Sequence, residues 1–81
     1  MRVKIPGYST VTGTPVAILR IMQDARMIDN LSGDDLIEEI SRTAWRAFGI
    51  GLQVTGETYE QRAESLLREM NQAHMIEIEE D

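Results

Sequence analysis

The chain has 81 residues, room for one small α+β domain spanning 1–81 and not for an active site enclosed between two lobes. It contains no cysteine, which excludes disulfides, thiolate metal ligands and cysteine nucleophiles, and a small domain without such staples is expected in the cytoplasm. Its net charge is −6, distributed as +2 over residues 1–30 and −8 over residues 31–81, a balance that disfavours phosphate backbones and anionic membrane surfaces but not a basic protein partner.

Arg2 to Ile5 alternates two cations with Val3 and Ile5, the pattern of a strand with one buried face, and Pro6-Gly7 ends it. Tyr8 to Gly13 is a Ser/Thr/Gly-rich loop with room for a short extended piece. Thr14-Pro15 then reads as a helix N-cap followed by proline at the first helical position, where the missing N–H has no intrahelical partner to lose. Ile18, Ile21, Met22, Ala25 and Ile28 recur at helical spacing, so the first helix is expected over 15–28. No run here spans a bilayer, because Arg20, Gln23, Asp24 and Arg26 interrupt the longest apolar stretch, and residues 1–7 lack the apolar region of a signal peptide.

Ser32 and Asp35 have capping-box spacing ahead of a second helix expected over 33–48. Acids crowd its early turns (Asp34, Asp35, Glu38, Glu39) and Arg42 and Arg46 its later ones, each sign at the macrodipole end that favours it. Ile37, Ile40, Ala44 and Phe48 form its apolar stripe, with Leu36 and Ala47 on one border and Trp45 on the other. Gly49 is a natural stop.

Ile50, Leu52 and Val54 alternate with Gly51, Gln53 and Thr55, which predicts a second strand ended by Gly56. Thr58 and Gln61 offer a capping box for a third helix whose face is Tyr59, Ala63, Leu66, Met70 and Ala73, with Glu64 and Arg68 as an i,i+4 pair. Ile76 and Ile78 alternate with Glu77 and Glu79. This last strand complements the first, apolar face to apolar face and anions beside cations, so the two termini are expected to meet in one sheet covered by helices.

The motifs that suggest chemistry lack their essential parts. The 8–14 loop before a helix invites an anion-binding reading. A P-loop, however, needs Lys-Ser/Thr where Thr14-Pro15 stands. His74, the only histidine, has no neighbouring nucleophile and is expected to act on the end of the third helix. The acids at 34–39 are not spaced as a calcium loop. They would also repel DNA from a helix-turn-helix built on the first two helices.

The reading is therefore a three-stranded sheet packed by three helices in the order β-α-α-β-α-β, with a three-helix bundle and extended termini as the alternative. No enzyme activity, cofactor, metal or nucleic acid is expected. The expected role is a protein-interaction module, a small subunit or a homodimer, with Trp45, Tyr59 and Met27 as candidate interface residues. A small-ligand or anion site on the 8–14 loop and an acidic mimic of a nucleic-acid surface are the rivals.

Overall fold

The computed structural model describes residues 1–25 and 33–79. It contains β1 (Arg2–Lys4), β2 (Thr10–Thr12), α1 (Pro15–Ala25), α2 (Asp34–Phe48), α3 (Tyr59–Gln72) and β3 (Glu77–Glu79). The α+β class, a three-stranded sheet and three helices are as the sequence implies, and the sheet sets aside the three-helix bundle.

The sheet is antiparallel, in the order β2-β1-β3. Val3 lies opposite Val11 on one side and Ile78 on the other. The termini do meet. Arg2 is opposite Glu79 and Lys4 opposite Glu77, so each cation of β1 has an anion beside it. Arg2 reaches Glu79 at 4.0 Å.

β1 and β2 form a hairpin. The Tyr8 N–H donates to the Ile5 carbonyl at 3.0 Å across a turn with Pro6 and Gly7 at its centre, and Gly7 has φ +77°. That is the arrangement of a type II turn. The ladder runs one residue beyond the strands at each end, through Ile5 N–H to Ser9 and Gly13 N–H to Met1.

One face of this sheet is apolar. Val3, Ile5 and Ile76 are buried with Ile18, Leu19 and Met22 of α1, Leu36, Ile37 and Ile40 of α2, and Ala63, Leu66, Leu67 and Met70 of α3. Arg2, Lys4, Thr10 and Thr12 on the other face are exposed.

The expected strand at 50–55 is not part of the sheet, and β2 takes its place, so the chain order is β-β-α-α-α-β. The alternation at 50–55 is nevertheless real, since Leu52 and Val54 pack on the core. Side chains of α3 satisfy its backbone: the Gln53 N–H donates to Glu69 Oε1 and the Thr55 N–H to Ser65 Oγ, each at 3.0 Å. A period of two reports a half-buried extended chain, not what its N–H groups bond to.

Caps fix the helix ends. Thr14 Oγ1 accepts the Ala17 N–H at 3.2 Å to begin α1. Ile28, the expected end of the first helix, lies outside the described residues. Thr58 and Gln61 form the full reciprocal capping box of α3. The N-cap of α2 is Gly33, and Ser32, expected to form a capping box with Asp35, lies outside the described residues. The Glu64–Arg68 pair forms at 3.3 Å. At the start of α3, Arg62 grips both oxygens of Asp34 at 2.7 and 3.0 Å and the Glu57 carbonyl at 3.1 Å. One guanidinium thereby ties the beginnings of α2 and α3 together.

Candidate interaction surface

The apolar stripe of α2 is longer than the body it packs on. Leu36, Ile37, Ile40 and Ala44 are buried, but Phe48, on the same stripe, is 62% exposed, and Trp45 is 64% exposed. The buried part of the expected stripe thus stops short of Phe48, and Trp45, expected on its border, is exposed. Residues three apart on a helix are surface neighbours, so Trp45 and Phe48 share the exposed surface of the last turn. Gly49, in the left-handed conformation, ends the helix immediately after them, its N–H donating to the Trp45 carbonyl at 3.0 Å. Two aromatics of this size exposed to nearly two thirds present on the order of 250 Å². That is slightly less than the roughly 300–600 Å² of the largest apolar patch on a typical monomer, but it is concentrated on one helical turn.

Tyr59 is placed elsewhere. It is half-buried against the core at the first position of α3. Burial pushes its phenol pKa up, the Asp34 carboxylate pushes it the same way, and Arg20 opposes them. Tyr59 thus lies by the beginning of α2, while Trp45 lies eleven residues further along that helix, about 16 Å by its axial rise. The two do not form one patch. Met27 lies outside the described residues. Met22 and Met70 are core residues and Met75 packs on the core.

Next to the 8–14 loop is an open cleft of about 550 Å³ lined by Arg2, Thr12, Gly13, Thr14, Glu64 and Arg68 among others. Several of its polar groups are committed within the chain. Thr14 Oγ1 caps α1, Arg2 faces Glu79, and Arg68 donates to Glu64. On α2 and α3, Asp34 is held by Arg62, and Glu38 and Glu39 both bond Arg42, at 3.1 and 2.9 Å. Local arginines therefore engage Asp34, Glu38, Glu39 and Glu64, and residues 31–81 keep their net charge of −8.

His74 stands two residues past the end of α3 with φ +61°. Its N–H donates to the Asn71 carbonyl and that of Met75 to the Met70 carbonyl, which is a Schellman closure with histidine at the left-handed position. The histidine acts on the helix end through its backbone.

Among the described residues, no three His, Asp or Glu side chains come together as a metal would require. No helix there is long and apolar enough to cross a membrane. Comparison with protein-family models, with curated proteins and with solved structures finds no match to this chain.

Proposed function

We propose that the chain is a non-catalytic protein-interaction module and that its partner docks on the last turn of α2. The observation that carries this is the exposure of Trp45 and Phe48 on a stripe whose earlier residues are all core. Trp and Tyr anchors dominate binding energy when a partner desolvates them, and a rigid helix presents them at small entropic cost. The rival readings have less support. Both arginines of the cleft beside the 8–14 loop are paired with glutamates, and arginines cover several acids of α2 and α3.

Trp45→Ala and Phe48→Ala separate association from folding. Both side chains are exposed, so each substitution is expected to change stability by no more than about 0.5 kcal/mol. Each should also remove a stoichiometric partner seen by native mass spectrometry when the protein is isolated gently from its host. A complex that survives both substitutions, or equal losses of folding and association, would refute the α2 surface.

A further inference from the structure

The two edges of the sheet are not alike. On the outer edge of β3, Asn71 Oδ1 accepts the Ile78 N–H at 3.1 Å, so a side chain of α3 occupies the position a further strand would take. Glu77 and Glu79 also stand along this edge. A second copy added here would set glutamates against glutamates one strand spacing apart, about 4.8 Å.

The outer edge of β2 has neither defence. In the β1–β2 ladder the odd-numbered residues exchange hydrogen bonds, as the bonds from Ile5 to Ser9 and Gly13 to Met1 show. The backbone groups of Thr10 and Thr12 therefore point outward. Among the described residues, no strand pairs with them. The strand is Thr-Val-Thr, uncharged and the same read in either direction.

The geometry points to self-association through this edge: two copies pair β2 antiparallel about a dyad at Val11, making one six-stranded sheet. This rests on the reading above that the chain works by association, but it uses a different surface. Thr10 of each copy would pair with Thr12 of the other, forming four backbone hydrogen bonds. Val11 would meet its own counterpart as a non-hydrogen-bonded pair with Cα atoms about 4.5 Å apart. The uncharged edge is what selects a second copy. Arg2 and Lys4 of the two β1 strands would lie three strand spacings apart, about 14 Å, which is beyond the screening length at physiological salt. Unlike pairing through β3, pairing through β2 therefore carries no charge penalty.

The cysteine-free chain makes the register directly testable. The purified wild type is expected to sediment as a concentration-dependent dimer, twice 9.2 kDa. Under mild oxidation Val11→Cys should cross-link to its own copy, since about 4.5 Å suits a disulfide, and Thr10→Cys, about 9 Å from its counterpart, should not. Thr12→Pro removes two of the four bonds at a position where an edge strand tolerates proline, so it should keep its circular dichroism and weaken the dimer roughly tenfold or more. Trp45→Ala should leave the dimer unchanged. A wild type that stays monomeric, or a dimer lost with Trp45→Ala and retained by Thr12→Pro, overturns the β2 pairing. Neither result removes the α2 reading, which is decided by the native complex. If Thr12→Pro fails to fold, the cysteine pair alone decides: no cross-link at Val11 with a dimer present refutes the register.

Discussion

At the scale of single residues, the helix caps divide into those that chemistry announces and those that packing imposes. Thr14-Pro15 and the Thr58–Gln61 box are legible because each cap is made by side chains a few residues apart, with no help from the rest of the fold. The end of α3 is different. Its left-handed position holds His74 where glycine is usual, because Met70 and Met75, joined by the Schellman bond, must both reach the core. Nothing in the local sequence marks that constraint. The left-handed conformation costs a side-chain-bearing residue roughly 1–2 kcal/mol, and glycine returns part of that gain through its larger loss of chain entropy. His74→Gly is therefore expected to raise stability by about 0.5–1 kcal/mol in urea denaturation. A loss on the same substitution would mean that the exposed imidazole makes a contact worth more than the strain.

At the scale of elements, the segment 50–55 is the instructive case. Its alternation of Ile50, Leu52 and Val54 is correct for burial and misleading for pairing, because hydrophobic periodicity is blind to the hydrogen-bond partner. The actual partners, Ser65 and Glu69, are ten and sixteen residues away on α3. β2 was harder to see for the opposite reason. Its single apolar residue, Val11, gives almost no pattern, and the Pro6-Gly7 turn fixes its pairing instead. The side-chain attachment of 50–55 makes a prediction that a sheet would not. Glu69→Ala should speed amide exchange at Gln53 and lower the local stability of this segment by about 1 kcal/mol, the usual net value of one hydrogen bond. Glu69→Gln, which keeps the accepting oxygen, should restore both. Amides of β1 should be unchanged, since that strand is held by its own neighbours. Acceleration that spreads evenly to β1 would place 50–55 in the same cooperative unit as the sheet.

The same scale explains the candidate surface. A helical stripe in a sequence tells which side of a helix is apolar, but not where along its length the covering body stops. Phe48 fits the stripe of Ile37 and Ala44, and its exposure follows from the reach of the other elements.

At the scale of the whole molecule, the two ends of the chain close the sheet, with β1 in the middle and the last strand beside it. This was readable because two separate signals agree: apolar residues alternate in both terminal segments, and the residues between them carry opposite charges. Their weights differ, and magnitudes say which one holds the ends together. The Arg2–Glu79 contact is 4.0 Å long between side chains 52% and 39% exposed, so it contributes less than about 1 kcal/mol and weakens with salt. Ile76 is buried in the core, and cutting such a side chain back to alanine costs about 2–5 kcal/mol. A domain of this size has a total stability toward the low end of 5–15 kcal/mol. Ile76→Ala should thus remove a large fraction of it and be insensitive to salt, while Glu79→Ala should be nearly silent at high ionic strength. Denaturation of both variants at low and high salt checks the ranking. If Glu79→Ala proved the more damaging, the complementary charges would be the main clamp and the buried isoleucine secondary. The termini would then separate as salt is added. With the expected ranking, the charges select antiparallel register and the apolar face supplies the stability, so the closed sheet persists in salt.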